Sequence, residues 1–178
     1  NVKQEIQKLI HLAPLHNPLN LIGIEIAEQL FPIAKQVAVF DTAFFLTMPV
    51  VAWTYPIPFK WREEGIRRYG FHGISHQCCS ETVCEILGYC PSRLVTCHLG
   101  NGASCTAIKD GKAIDTTMGF TPMEGVMMGT RSGTIDPGII IYLQREKQMS
   151  VEQIDRVLNK ESGLLGIAGT FDMREIVA

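Results

Sequence analysis

The sequence predicts a mixed α/β or α+β fold rather than a helical bundle, and three observations support this. Apolar residues recur at helical spacing near the N-terminus and again towards the C-terminus. Three short segments of β type lie between these helical regions. Hydrophobic residues make up 46% and charged residues 19% of the 178-residue chain. This balance excludes an intrinsically disordered protein.

Five segments are predicted to be helices, from apolar spacing and from residues that begin or end helices: residues 2–12, 19–30, 75–87, 137–147 and 150–159. Ser75 is the candidate N-cap of the third helix. Ser150 and Gln153 form the pattern of a capping box at the start of the last one. Proline is poorly tolerated inside a helix, so the proline-containing segments after the first two helices are expected to end them.

Four segments are predicted to be strands: residues 37–40, 94–98, 103–109 and 112–116. Asp110-Gly111, between the last two, is a strong signal for a two-residue hairpin. Asp41 directly follows the first strand, where α/β proteins commonly place reactive carboxylates. A helix or turn cap explains Asp41 equally well. Residues 49–61 contain three prolines among aromatic residues and are predicted to be irregular.

Charge and hydropathy exclude several classes of function. The formal net charge of −2 gives no electrostatic case for nucleic acid or an anionic membrane as a partner. No apolar run approaches the roughly 18 residues that a transmembrane helix needs. The polar N-terminal residues do not form a secretory signal, so a cytoplasmic protein is expected. The six cysteines contain no C-x-x-C pair and are expected to be mostly small core residues.

A cluster of glycine, histidine and asparagine, His98 to Ser104 (HLGNGAS), directly follows a predicted strand. Its two glycines let backbone amides approach an anion, so these amides and the Asn101 side chain could hold a polyphosphate. The cluster is neither a Walker A motif nor a Rossmann fingerprint, because Cys105 stands where another glycine would be needed. A tight Asn-Gly hairpin turn explains the same residues, and both interpretations remain open.

A second glycine-rich segment, residues 119–138, contains a single arginine, Arg131. A guanidinium on such a loop suits bidentate neutralisation of phosphoryl oxygens, although a solvated arginine on a surface loop is the alternative. His72 and His76 have the i, i+4 spacing of zinc ligands on a helix. Gly73 stands where a zinc protease of this type has glutamate, so a zinc protease is not expected.

Five segments, taken together and in this order, resemble the acetokinase family: residues 13–18 (APLHNP), 39–44 (VFDTAF), 67–76 (RRYGFHGISH), 98–104 (HLGNGAS) and 119–138. The resemblance covers almost the entire chain. It implies a ribonuclease-H-like, actin-like ATPase fold, here part of a two-lobed kinase. Residues 1–45 would end the N-terminal lobe, and residues 46–178 would begin the C-terminal nucleotide-binding lobe. The implied reaction is the reversible conversion of ATP and acetate to ADP and acetyl phosphate with Mg²⁺.

The resemblance also implies roles for individual residues. Asp41 matches an essential aspartate, either a base or the group that orients the carboxylate. His72 and Arg131 match residues that stabilise the transferring phosphoryl group, and His16 matches a further active-site histidine. The implied nucleotide contacts are His98, Leu99, Gly100, Asn101 and Gly102 and, from a weaker motif, Asp172, Met173 and Arg174. The implied pocket for the acyl methyl group is lined by Leu15, Phe71 and Pro122.

The chain departs from the family pattern at two places and in its length. Phe45 stands where the family usually has histidine, and Val50-Val51 replace a more polar pair. Family members are more than twice as long, so the chain is expected to be a central fragment of a homodimeric enzyme. Both Mg²⁺-associated residues are expected to lie outside it. Propionate or butyrate kinase activity and a non-catalytic nucleotide-binding remnant are the alternatives.

Overall fold

The computed structural model describes residues 2–10 and 16–178 and divides the chain into two compact units, Asn1–Phe40 and Asp41–Ala178. In the first unit, helices α1 (Val2–Lys8) and α2 (Asn17–Leu30) are joined by an ion pair between Lys3 and Glu28. A proline occupies the first turn of α2, where its missing N–H leaves no intrahelical hydrogen bond unmade. Both predicted helices are therefore present within the described residues.

The apolar run at residues 37–40 does not form a strand, and the prediction of one is wrong. Val37 and Val39 are largely exposed, and Phe40 is half exposed. A strand is stable only when a neighbour completes its hydrogen bonds, and the sheet within the described residues contains no strand that pairs with this segment. A 3₁₀ helix, Asp41–Thr47, follows immediately and buries Phe45.

The second unit contains an antiparallel sheet of three strands, β1 (Arg93–Leu99), β2 (Ala103–Lys109) and β3 (Lys112–Thr116), in the order β1-β2-β3. The three corresponding predictions are confirmed. Asp110 and Gly111 have φ values of 50° and 74°. Positive φ at both central residues is what a tight hairpin turn with the twist of the strands requires, so the predicted turn is also confirmed.

The segment between the 3₁₀ helix and the sheet contains three helices, α3 (Val50–Trp53), α4 (Phe59–Glu63) and α5 (Gly73–Leu87). The first two are single turns within the stretch predicted to be irregular, and a proline precedes each of them. Helix α5 contacts β1 and the 3₁₀ helix, which in turn contacts β3. These contacts enclose a small core of Phe45, Met48 and Ala113.

Four helices complete the chain: α6 (Pro137–Arg145), α7 (Val151–Lys160), α8 (Gly163–Ala168) and α9 (Met173–Ile176). The predicted capping box is confirmed, because Ser150 and Gln153 exchange hydrogen bonds between side chain and backbone. The Asp136 side chain accepts a hydrogen bond of 2.8 Å from the Gly138 N–H at the start of α6. No helix within residues 2–10 and 16–178 is long and apolar enough to cross a membrane.

The cysteines are not core residues, and that expectation is wrong. None of the six is buried: Cys84 and Cys105 are partly buried, and the other four are exposed. Cys84 and Cys90 form a disulfide at the end of α5. Cys97 and Cys105 face each other across β1 and β2, with 3.6 Å between their sulfur atoms. The buried face of β2 instead carries Ser104, Thr106 and Ile108.

Candidate active site

Helix α5 begins at Gly73, earlier than the predicted cap Ser75, and its N-cap residue is His72. The backbone of His72 is left-handed, with φ 61° and ψ 26°, a conformation that costs a non-glycine residue about 1–2 kcal/mol. The His72 N–H donates to Asp41 Oδ2, and the Ile74 N–H donates to Asp41 Oδ1 at 3.2 Å. A carboxylate at this position satisfies free N–H groups and interacts favourably with the helix dipole. Asp41 thus caps α5 and fixes the position of His72.

Gly73 makes this close approach of the two segments possible. A Cβ atom at Gly73 would collide with the backbone carbonyl of Asp41 and would lie 3.1 Å from the Cβ atom of Phe44. Backbone atoms of the 3₁₀ helix cannot retreat as a flexible side chain would. The glycine at the start of α5 is therefore required for the Asp41 cap. In the sequence, neither Asp41 nor Gly73 indicates this contact by itself.

The His72 ring is held from two sides. It stacks on the His98 ring with 4.0 Å between centroids and 22° between planes. Its Nδ1 atom lies 2.8 Å from the Ser104 hydroxyl on β2. His98, whose Nδ1 atom lies 2.9 Å from the Ser75 hydroxyl, is in turn anchored to α5. Strand β1 and helix α5 therefore fix both imidazoles next to the loop that joins β1 to β2.

His76, one helical turn after His72, is the buried histidine of this cluster. Its Nε2 atom lies 2.8 Å from the Ser104 hydroxyl, and its Nδ1 atom lies 2.7 Å from the Thr96 hydroxyl. His76 is 1% exposed. Burial, assisted by the neighbouring histidines His72 and His98, lowers the pKa of His76 to about 4, so its ring is neutral at physiological pH.

Residues 100–102 form the loop between β1 and β2, closed by a 3.1 Å hydrogen bond from the Gly100 N–H to the Gly102 carbonyl. A Cβ atom on Gly102 would lie 3.3 Å from Arg131 Nη1 and 3.5 Å from His72 Nε2. Both nitrogen atoms therefore reach the space beside Gly102. The loop is a hairpin, as one interpretation of the sequence held, and it also borders this polar space.

Arg131 is half-buried, and its Nη1 atom donates a 3.1 Å hydrogen bond to the Pro122 carbonyl. Its backbone is held in a turn, since the Met128 N–H donates to the Arg131 carbonyl. Burial lowers the pKa of Arg131, but a guanidinium starts so far above neutrality that it remains charged. A positive charge with little solvent around it is well suited to an anion.

Asn101 is exposed at the tip of the loop. Its carbonyl accepts a 3.2 Å hydrogen bond from the Gly129 N–H, and a Cβ atom on Gly129 would collide with its side-chain oxygen. The two glycine-rich segments singled out in the sequence are therefore in direct contact. Leu99, at the end of β1, is exposed beside them.

Within the second unit, three predicted site residues stand apart from this cluster, and one is in the core beside it. His16 is exposed immediately before α2, in the first unit, and Leu15 lies outside the described residues. Asp172 and Arg174 form an ion pair at the start of α9, with Met173 exposed between them. No hydrogen bond or ion pair between described residues joins them to the cluster. Phe71 packs into a second core, against residues 103, 118 and 128.

A polar network that the sequence analysis missed supports the glycine-rich segment around Pro122. Arg68 donates to the carbonyl oxygens of residues 116, 117 and 118 at 3.1–3.2 Å and forms a 2.8 Å ion pair with Glu124. Tyr55 donates to Glu124 and accepts from the Phe120 N–H. Burial and the Glu124 carboxylate raise the pKa of Tyr55. In the sequence, the adjacent arginines Arg67 and Arg68, close to Gly70, were the one indication of this network.

The cluster does not fit a metal site by itself. Among residues 2–10 and 16–178, no three His, Cys, Asp or Glu side chains are close enough to hold an ion. The side chains around Gly102 are imidazoles and a guanidinium, whereas Mg²⁺ takes oxygen ligands. We therefore assign no Mg²⁺ ligand to the described residues.

Comparisons with known proteins agree on one family. The model of the acetokinase family matches residues 1–178. The acetate kinase of Protochlamydia amoebophila is 60% identical over 180 residues, covering 100% of this chain, and that of Acaryochloris marina is 60% identical over 176 residues, covering 98%. The chain spans 46% and 44% of these two relatives, respectively, and so less than half of their length.

Solved structures also superpose closely on this chain. A propionate kinase from Francisella tularensis superposes with a TM-score of 0.92 at 50% identity, covering 98% of this chain and 46% of that protein. The acetate kinase of Porphyromonas gingivalis superposes with a TM-score of 0.91 at 49% identity, covering 99% and 45%. The predicted fold class is thereby confirmed.

Proposed function

Because the chain belongs to the acetokinase family, we propose that it carries part of the phosphoryl-transfer site of an acetate kinase. The reaction is ATP + acetate to ADP + acetyl phosphate, and it is reversible. One observation carries the proposal beyond family membership. Arg131 Nη1 and His72 Nε2 both reach the same space beside Gly102. A cation and a hydrogen-bonding imidazole beside a glycine-rich loop suit a phosphoryl group in transfer.

The proposed reaction requires no covalent bond between the protein and its substrates. An acetate oxygen forms a bond to the γ-phosphorus while the bond from phosphorus to the β,γ-bridging oxygen breaks, and that electron pair leaves with ADP. Acetate is already ionised at neutral pH, so no base must remove a proton. Catalysis then consists of alignment and of neutralising the equatorial oxygens, which we assign to Arg131 and His72.

The remaining predicted residues support this assignment in different ways. Asp41 positions His72 through its cap on α5, and we propose that it also orients the acetate carboxylate. Residues 98–102, with the backbone amides of the loop and the Asn101 side chain, would hold the nucleotide phosphates. His16 and residues 172–174 remain candidates from the family resemblance alone. Mg²⁺ would accompany the nucleotide, with ligands outside the described residues.

The acyl group would meet Phe71, Pro122 and Leu15. Acetate is the proposed substrate, and longer acids are its alternatives, because one extra methylene in an apolar pocket changes binding by only about 1–3 kcal/mol. Propionate is the specific alternative, because a propionate kinase from Francisella tularensis is a structural neighbour; butyrate is the next larger candidate.

We further propose a cytoplasmic homodimer, the state that the family resemblance implies. The exposed apolar residues of α2, including Leu19 and Leu30, support association with further protein surface.

The proposal predicts acyl phosphate formation, which hydroxylamine traps as a hydroxamate that gives a coloured complex with ferric ion. The complete gene product and the 178-residue chain would each be given Mg-ATP with acetate, propionate or butyrate. We expect turnover by the complete gene product, fastest with acetate. Faster turnover of a longer acid would replace acetate as the substrate. No acyl phosphate from any acid, together with retained nucleotide binding, would contradict the enzyme and support a non-catalytic nucleotide-binding remnant.

Asn101→Ala is expected to weaken ATP binding by a factor of about 10 to 100 or more, since a hydrogen bond to a charged group contributes about 1.5–3 kcal/mol. The dissociation constant would be measured by calorimetry on the complete gene product. Asn20→Ala, which removes an exposed asparagine on α2, is the matched control and should leave affinity unchanged. Equal affinity of Asn101→Ala and wild type would return residues 100–102 to the role of a hairpin turn only.

A further inference from the structure

A chain of buried polar side chains leads from His72 into the core. The Ser104 hydroxyl lies 2.8 Å from His72 Nδ1 and also 2.8 Å from His76 Nε2. His76 Nδ1 lies 2.7 Å from the Thr96 hydroxyl. Ser104 is 0% and Thr96 is 6% exposed, so solvent does not complete their hydrogen bonds. Every proton in this chain must therefore find its acceptor within the protein.

The donor and the acceptor of each of these hydrogen bonds follow from where each proton finds an acceptor. His76 is neutral, so one of its ring nitrogens donates and the other accepts. If Nδ1 of His76 donated to Thr96, the Thr96 hydroxyl proton would need a second acceptor. Within the part of the chain that the structure describes, the Thr96 hydroxyl has no hydrogen bond other than the one with His76. An unsatisfied buried hydroxyl costs about 1–3 kcal/mol, so Thr96 donates and His76 Nδ1 accepts.

The remaining protons are then determined. His76 carries its proton on Nε2 and donates it to Ser104 Oγ, which uses its own proton as the donor to His72 Nδ1. We propose that the chain from Thr96 through His76 and Ser104 holds the neutral His72 ring in the tautomer that carries its proton on Nε2. Ser104 and His76 are thus positioning residues for His72.

This tautomer matters because of where Nε2 points. Nε2 and the adjacent ring carbon Cε1 are the His72 atoms that lie 3.5 Å from the position that a Cβ atom on Gly102 would take, and Arg131 Nη1 lies 3.3 Å from the same position. Of these two His72 atoms, Nε2 is the one that can donate or accept an ordinary hydrogen bond. With the proton on Nε2, His72 donates a hydrogen bond into this space. With the proton on Nδ1, Nε2 would present a lone pair to an anion and repel it. That the ligand is a transferring phosphoryl group rests on the proposed function; the tautomer itself does not.

Nuclear magnetic resonance tests the tautomer directly. The complete gene product would be labelled with ¹⁵N in its histidine rings, and two-bond ¹⁵N–¹H correlations would be recorded at about pH 8, above the ordinary titration range of histidine. The signals of His72 are those lost in a His72→Gln sample. We expect a protonated Nε2 and an unprotonated Nδ1. A protonated Nδ1, alone or together with Nε2, would overturn the proposal.

Two variants separate the proposed role from ordinary packing. Ser104→Ala removes the hydroxyl that donates to His72, and Thr106→Val removes another fully buried hydroxyl from the same face of β2, bonded to Thr116 instead. We expect Ser104→Ala to mix the His72 tautomers and to lower kcat about tenfold, as loss of an orienting partner does, with both KM values nearly unchanged. Thr106→Val should change neither the tautomer nor kcat.

The outcomes keep the two proposals apart. An unchanged His72 spectrum in Ser104→Ala would overturn the role of the chain, even if the enzyme forms acetyl phosphate. Absence of acyl phosphate formation by the wild type would contradict the proposed function, while the wild-type spectrum would still decide the tautomer. Equal loss of kcat in Ser104→Ala and Thr106→Val, with the tautomer retained in both, would reduce Ser104 to a packing residue.

Discussion

Arg131→Ala is expected to lower kcat about 10³-fold, the lower end of the effect of an arginine that stabilises phosphoryl transfer, while the KM for ATP changes little. The reason lies in its position. Arg131 Nη1 is anchored by the Pro122 carbonyl and reaches the space beside Gly102. A half-buried guanidinium neutralises charge that grows on the phosphoryl oxygens in the transition state. The measurement is steady-state kinetics of hydroxamate formation by the complete gene product.

Two further arginine variants make this result specific. Arg131→Lys retains the charge but loses the planar fork, so its kcat should lie between those of wild type and Arg131→Ala. Arg156→Ala removes an exposed arginine of α7 that pairs with Glu161 and should leave kcat unchanged. If kcat of Arg131→Ala equalled that of wild type, or if only the KM for ATP rose, Arg131 would have no role in the transition state.

Gly102→Ala is expected to lower kcat/KM about 10²-fold, the effect of displacing reacting groups by roughly an ångström. The new methyl group would sit 3.3 Å from Arg131 Nη1 and 3.5 Å from His72 Nε2. It would therefore occupy the space that both nitrogen atoms share. The backbone at Gly102 is not left-handed, so alanine causes no conformational strain there, and the midpoint of thermal unfolding should remain close to that of wild type.

The matched control is Gly23→Ala, at an exposed helical glycine where an added Cβ atom meets nothing within 4 Å. It should leave kcat/KM unchanged and slightly raise the unfolding temperature, because alanine favours helix by about 1 kcal/mol over glycine. Full activity of Gly102→Ala would show that the reacting group does not pass beside Gly102. The assigned site would then be wrong even if the family activity is present.

Local features of this fold were predictable because neighbouring residues decide them. The turn at Asp110-Gly111 needs two residues that tolerate positive φ, and the capping box at Ser150 needs only a partner three residues later. Both are confirmed. The predictions that failed depend on distant partners. Residues 37–40 are apolar enough for a strand but have no strand beside them among the described residues, and α5 begins at Gly73 because Asp41, 32 residues earlier, caps it.

The candidate site divides in the same way. Residue types and their order were enough to single out Asn101 and Arg131, because phosphate chemistry requires a cation, hydrogen-bond donors and glycine-rich backbone. The resemblance to the acetokinase family added His72. Their assigned roles remain proposals. The support beneath them was not visible: Ser104 reads as an ordinary strand residue until its hydroxyl is found between two histidines of a different element.

The sequence by itself therefore determined the family, the local turns and caps, and the kinds of side chain available for chemistry. Only the tertiary structure decided that His72 Nε2 and Arg131 Nη1 face one space beside Gly102, and that buried hydroxyls orient the imidazole. The physical reason is range. Backbone propensities and capping act over a few residues, whereas hydrogen-bond satisfaction in a buried site depends on atoms brought together by packing from segments far apart in the chain.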